Sequence, residues 1–270
     1  MIRKGIILLL LASGAIVTTF PFVWMIGTAF KTMSEASSST LSLFPEVWQW
    51  QNPRQTFEEA PFKIYFYNSF VVAFSVTAAV VVTSILAGYA FARLRFPGRQ
   101  VVFGIILATM MIPFEVTLIP NFLLIRSLDL YNSYGALIIP WCANAFSIFL
   151  VRQSFMSLPG DYYDAATVDG CGHLRFLTWI ATPLIKPTAV TVALFAFLSS
   201  YNALMWPIVV TSDRDMRVVQ YGLTVFFGEA GVKVNLLMCA AAIVILPTVA
   251  LYFAAQKYFL ESSLSAGIKG

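Results

Sequence analysis

Apolar residues fall along this chain in six long runs, with polar and charged residues gathered in the gaps between them. The first run is 5–30, and the others are approximately 68–92, 101–125, 135–155, 188–210 and 236–258. Each is long enough to cross about 30 Å of hydrocarbon at about 1.5 Å per helical residue. The runs are continuously apolar, without the alternation of barrel strands, so they predict helices. The run at the amino end follows Arg3-Lys4 but outlasts the short apolar core of a cleaved signal peptide. It predicts a retained first span. The pattern as a whole predicts an all-α membrane protein, a single transmembrane domain over residues 1–270 with six transmembrane helices.

Composition supports this and narrows the chemistry. Of 270 residues, 59% are hydrophobic and 11% charged, where soluble domains carry about 25% charged residues. Mean hydropathy is +0.79. So few charges could not cover a soluble fold of this size, whereas a lipid bilayer solvates apolar outer faces directly. The net charge of +4 is spread along the chain, so no nucleic-acid partner is expected. Cys142, Cys171 and Cys239 are odd in number and widely spaced, and His173 is the one histidine, so no metal site or catalytic constellation is expected.

Six spans put both termini on one side. With the amino end inside, ten of the seventeen Lys and Arg residues lie inside, and Arg93, Arg95 and Arg99 crowd one short loop there. Both termini are therefore expected to be cytoplasmic. Two segments are too long and polar to be turns. Residues 31–65, expected outside, hold Pro45, Pro53 and Pro61 with Trp48 and Trp50, a pair suited to anchoring at the membrane interface. Residues 156–187 are expected inside.

In that second segment Pro159-Gly160 breaks the preceding helix, and Asp161 is able to cap a new one. Tyr162–Asp169 predicts a short helix stopped by Gly170. Another short helix follows before Pro183 and Pro187. The elbow offers Tyr162, Tyr163, Ala165 and Ala166 as a small-and-aromatic surface, with Asp164 and Asp169 able to meet basic groups. The residues alone leave two readings open: a partner-docking loop, or an amphipathic helix lying on the chain's own membrane domain.

The spacing here resembles the coupling motif of ABC-importer permeases: Glu-Ala-Ala, three residues, Gly, nine residues, then Ile-x-Leu-Pro. Asp164-Ala165-Ala166, Gly170, Ile180 and Pro183 fall on it, with Asp164 for the usual Glu and Thr182 for the Leu. Leu86–Arg93 with Phe96-Pro97-Gly98 resembles the start of the permease core, and Met111-Ile112-Pro113, Tyr201-Asn202, Leu204–Pro207 and the ending 266–270 resemble the carbohydrate-uptake branch of that family. The likeness is to the shorter, six-helix partner of the permease pair in maltose-type and glycerol-phosphate-type importers. It implies the type I ABC importer permease fold in a bacterial or archaeal plasma membrane. The implied partners are a second permease subunit, a dimer of ATP-binding subunits, an extracytoplasmic solute-binding protein and the lipid bilayer.

No G-x-x-x-x-G-K-[ST] phosphate loop occurs in the chain, so no cofactor is expected on it. The resemblance implies that ATP and Mg bind on the partner ATPase. The resemblance implies that Asp164, Ala165, Ala166, Asp169, Gly170 and Pro183 couple the chain to that ATPase, and that residues 266–270 reach it too; the alternative for the tail is a frayed terminus. Solute-pathway candidates come from polar groups in apolar runs. Glu115 lies between Pro113 and Pro120, and an acid at that depth must face protein or water. Asn202, with Tyr201 and Trp206, combines an amide with aromatic rings, which suits polyhydroxyl solutes. Each also has a structural reading: helix-to-helix hydrogen bonding or interface anchoring. An ATP-independent secondary transporter or channel, and a membrane-embedded enzyme, are the rival functions. The coupling spacing argues against both.

Overall fold

The computed structural model describes residues 2–38, 42–228 and 231–267, with side-chain surroundings for 4–38, 42–228 and 231–256. The tail expected to reach a partner, 266–270, lies outside the residues whose surroundings are described. In chain order the helices are α1 (Ile2–Ala29), α2 (Met33–Ala36), α3 (Asn52–Glu59), α4 (Phe62–Arg93), α5 (Arg99–Thr109) and α6 (Phe114–Ser127). There follow α7 (Tyr134–Ile138), α8 (Ala145–Met156), α9 (Asp161–Val168), α10 (His173–Phe176), α11 (Thr182–Leu184), α12 (Lys186–Tyr201) and α13 (Met205–Val210). The chain ends with α14 (Val219–Thr224), a two-residue antiparallel pairing of β1 (Phe227–Gly228) with β2 (Gly231–Val232), α15 (Val234–Val244) and α16 (Leu246–Gly267).

Among the described residues three helical stretches, Lys4–Ala29, Phe62–Arg93 and Val234–Gln256, are each long and apolar enough to cross a membrane. Three bent pairs meet the same test together, which makes six if each pair is one span. The span expected over 101–125 is made of two helices, α5 and α6, bent by 100° at Met110–Pro113. Pro113 lacks an amide hydrogen and sits in extended backbone (ψ 142°), so the α5 ladder stops before it. The run 135–155 is bent by 42°, with Pro140 in the 3-10 turn Ile139–Trp141 that prolongs α7. The run 188–210 is also interrupted: α12 ends at Tyr201 and α13 restarts at Met205.

The chain divides into two compact units, one of Met1–Tyr65 with Val219–Val249 and one of Phe66–Val218 with Ala250–Gly270. In the first, α1 is apolar all round and bare over its membrane-length window, as suits a helix whose solvent is lipid. Only its end is buried, where α15 packs against it. There the buried Asn52 Nδ2 donates to the Ala29 and Lys31 carbonyls at 2.9 Å each, satisfying groups a helix end leaves open. Gly27 is required at this point, because a Cβ would lie 1.9 Å from the Leu43 carbonyl oxygen. Lys233 pairs with Glu59, and Phe62, Tyr65, Tyr221 and Phe226 form a ring cluster around Gly222. Trp48 and Trp50 stack on each other at 5.3 Å, beside Phe30.

The second unit is centred on α4. Val72, Val76 and Val80 form a buried stripe at helical spacing, continued by Tyr89. At Gly88 the backbone of α8 comes close enough that a Cβ would meet Val151 Cγ1 at 2.7 Å. Arg152, on α8, lays its guanidinium 4.2 Å from the Phe103 ring of α5 and donates from Nε to the Phe91 carbonyl. Near the start of α4 the buried Asn68 donates to the carbonyls of Asp215 (2.7 Å) and Arg217 (2.8 Å), and accepts from the Tyr134 hydroxyl (2.6 Å). Asn132, in the left-handed region at φ 57°, accepts from the amides of Ser212 and Asp213 and pins the same loop.

Candidate functional site

The elbow at 156–187 is built by local signals. The chain leaves α8 through Ser157 and turns at Pro159-Gly160 into α9. The cap is Gly160, whose carbonyl accepts from the amides of Tyr163 and Asp164. Asp161, expected to cap, is instead the first helical residue, because the Pro-Gly turn already supplies the entry geometry. Asp161 and Asp164 therefore lie in the first turn, where negative charge suits the helix dipole. Gly170 ends the helix at φ 74°, with its amide bonded to the Thr167 carbonyl and that of Cys171 to the Ala166 carbonyl. This paired closure needs a left-handed residue, and glycine adopts it without a Cβ penalty. A second helical run, α10, continues through a π segment (Leu177–Ala181) into α11 and meets α12 at 82°.

Hydrogen bonds and rings fix the elbow onto the second unit. Arg93, the last residue of α4, donates from Nη2 to the carbonyls of Phe155 (3.2 Å) and Leu158 (2.8 Å), where α8 runs out. Next to it the Tyr89 hydroxyl lies 3.0 Å from His173 Nδ1, and the Tyr163 ring stacks on that imidazole at 5.6 Å. Sequence reasoning missed this cluster: Arg93 had counted as an orienting charge and as the end of the Leu86–Arg93 resemblance, and His173 only as a solitary histidine.

The outward surface of α9 forms an open cleft of about 420 Å³ lined by Pro159, Asp161, Tyr162, Ala165, Ala166, Asp169 and Ile180. Of the residues expected to dock, Ala165 and Asp169 line the cleft on exposed positions and Ala166 is buried at its floor. Asp164 and Gly170 are exposed nearby on α9 and its cap. Pro183 is exposed in α11 and is not part of the cleft lining. Val168 is 88% and Trp179 78% exposed on the same elbow, and no spacing rule pointed to these two.

The solute-pathway candidates separate into two kinds. Tyr201 and Trp206 are buried. Trp206 donates from Nε1 to the Ala136 carbonyl at 2.9 Å and packs edge-on against Trp141 and Phe114. Glu115, in the first turn of α6, and Asn202, closing α12, are exposed. The Phe114–Trp206 contact brings the Met110–Pro113 break and the 202–204 break to one aromatic cluster. Among the described residues no three His, Cys, Asp or Glu side chains stand close enough to hold a metal ion.

Residues 79–262 match the family described as "Binding-protein-dependent transport system inner membrane component". The sn-glycerol-3-phosphate transport system permease protein UgpE of Yersinia enterocolitica is 32% identical over 260 residues, covering 93% of this chain and 92% of its own. The arabinooligosaccharides transport system permease protein AraQ of Halalkalibacterium halodurans is 30% identical over 259 residues, covering 95% and 93%. A chain of a bacterial ABC transporter involved in the import of the acidic polysaccharide alginate has the same fold, with a TM-score of 0.84 at 22% identity over 96% of both chains.

Proposed function

The chain belongs to the binding-protein-dependent transport system inner membrane component family, as a transport subunit of an ABC importer and not an enzyme, and we propose that it carries a sugar or sugar-like solute and is driven through α9 by a separate ATPase. The cargo reading follows the glycerol phosphate and arabinooligosaccharide named for its relatives. A solute-binding protein hands over the cargo, a second permease subunit completes the gate, and ATP and Mg bind on the ATPase subunits. Both termini and the elbow lie on the cytoplasmic side.

The observation that carries this reading is the geometry of α9. It is a short helix packed onto the second unit through Tyr163, stacked on His173, and the buried Ala166, and it presents Ala165, Asp169 and the bare Val168 outward. A rigid lever seated in a moving groove is what alternating access needs, since two remote sites couple only through contacts that differ between two global states. Of the pathway candidates, Glu115 and Asn202 face the solute while Tyr201 and Trp206 hold the breaks in place behind them.

Ala165→Asp tests the lever. It places a carboxylate on the exposed cleft wall and leaves the buried Ala166 untouched. In the reconstituted complex the variant is expected to insert normally but to lose at least tenfold of ATP-driven uptake, the order of effect of an unpaired charge in a docked interface. Undiminished uptake would remove α9 from the coupling path. Uptake by the chain alone, without ATP, would favour a secondary transporter or channel.

A further inference from the structure

His173 stands where three elements meet. On one side the Tyr163 ring of α9 stacks on its imidazole, the planes 24° apart. On the other side Nδ1 is 3.0 Å from the hydroxyl of Tyr89, a residue of α4 that is only 4% exposed. Phe176 closes the base, meeting Tyr163 edge-on at 5.2 Å and Tyr89 at 6.3 Å. Tyr89 in turn packs edge-on against Phe155 of α8. A link thus runs from α9, by ring stacking, through one imidazole and its hydrogen bond to the membrane-length helix α4. The buried Tyr89 hydroxyl needs a partner, because a buried polar group without one is costly. His173 supplies it from the elbow, in whichever direction the proton lies.

We propose that His173 is a positioning residue for energy coupling: its bond to Tyr89 fixes the angle of α9 against α4, so that movement imposed on α9 reaches the membrane helix without slack. The proposal rests on the reading of α9 as the ATPase-driven lever. It assigns His173 no contact with solute or nucleotide. The physical requirement is an acceptor or donor one bond beyond Cγ on a flat side chain. Phenylalanine keeps the stacking surface and loses the bond. Asparagine keeps a polar atom at the same reach and loses the ring.

The test uses the assembled complex in lipid nanodiscs and proteoliposomes, with His173→Phe, His173→Asn, Tyr89→Phe and the pair Tyr89→Phe/His173→Phe. Two quantities are read: solute moved per ATP hydrolysed, and the distance distribution between spin labels at Thr167 on α9, outside the cleft lining, and Leu86 on α4, both exposed, in a background without the three native cysteines. His173→Phe and Tyr89→Phe should each broaden the distance distribution. Each should also lower solute moved per ATP about fivefold, the small end of coupling between remote sites, with the ATPase subunit still bound. The paired variant should be no worse than either single one, because both remove the same link, and His173→Asn should recover much of the loss. Unchanged distances, losses that multiply in the paired variant, an asparagine no better than phenylalanine, or loss of the bound ATPase would each overturn the proposal. If the wild-type complex moved no solute with ATP, the lever reading would fail on its own, and the label distances would still decide whether His173 holds α9 to α4.

Discussion

Replacing Gly88 with alanine tests the packing of α4 on α8 directly. A Cβ at Gly88 would lie 2.7 Å from Val151 Cγ1, 2.9 Å from the Arg152 backbone nitrogen and 3.0 Å from Val151 Cβ. Val151 is fully buried and β-branched, so it has little rotamer freedom with which to retreat. The Arg152 nitrogen belongs to the α8 backbone and can move only if the helix moves. Overpacking of this kind costs about 1–3 kcal/mol, against a gain of about 1 kcal/mol for alanine over glycine in a helix. Gly104, in the middle of α5, is the control, because nothing lies within 4 Å of where a Cβ would stand. There only the helix gain of about 1 kcal/mol remains. The two alanine variants should therefore differ by about 1–3 kcal/mol, with Gly88→Ala the less stable. Thermal unfolding in detergent, followed by tryptophan fluorescence, should separate their midpoints by several degrees, at about 2–4 °C per kcal/mol for a chain this long. Equal midpoints would refute the close approach of the two helices.

Asn68→Leu removes the amide that serves the Tyr134 hydroxyl and the Asp215 and Arg217 carbonyls. It should cost about 2 kcal/mol and speed hydrogen exchange across residues 212–218; a protected loop in that variant would contradict the assignment. Trp206→Phe keeps ring packing against Phe114 and Trp141 but loses the bond to the Ala136 carbonyl. It should cost about 1 kcal/mol in the same melting assay and leave solute selectivity unchanged. A change of selectivity would put Trp206 on the solute path.

What was legible in the sequence was what local chemistry determines. Gly170 had to end a helix, and it does so at φ 74°, because no other residue type adopts that backbone freely. The apolar runs identified the segments but not their continuity. A hydropathy window registers that 101–125 is oily, and Met110–Pro113 interrupts it without becoming polar. Pro113 was the available signal for that bend. The break after Tyr201 had no comparable marker, since its nearest proline, Pro207, comes after α13 has begun. Trp206 shows the limit for site residues. A tryptophan in an apolar run reads equally as pathway lining or interface anchor, and its bond to the Ala136 carbonyl, seventy residues away, follows from neither. His173 is harder still, because the residue that gives it meaning, Tyr89, is eighty-four positions upstream with no motif between them.

Polar ties on α4 are placed as a bilayer would demand. Asn68 and Tyr89 are twenty-one residues apart, about 31 Å along a helix at roughly 1.5 Å per residue, which is close to the roughly 30 Å of hydrocarbon a span must cross. Within lipid a polar side chain finds partners only in protein, whereas at the two edges loops and water are available. The middle of α4 accordingly relies on shape. Val72, Val76 and Val80 bury one stripe, Thr77 bonds back to its own helix at Ala73, and Thr83 reaches the Cys142 carbonyl beside the bend before α8. Orientation is set at the ends: by Asn68 on the 212–218 loop, and by Tyr89 and Arg93 on the elbow. Gly88 and Tyr89 are neighbours in the chain and lie at the boundary of these two regimes. A methyl group added at Gly88 should weaken the unit without changing how α9 is held. Loss of the Tyr89 hydroxyl should free α9 while leaving the α4–α8 contact intact, so the melting and label-distance assays should respond to opposite members of that pair.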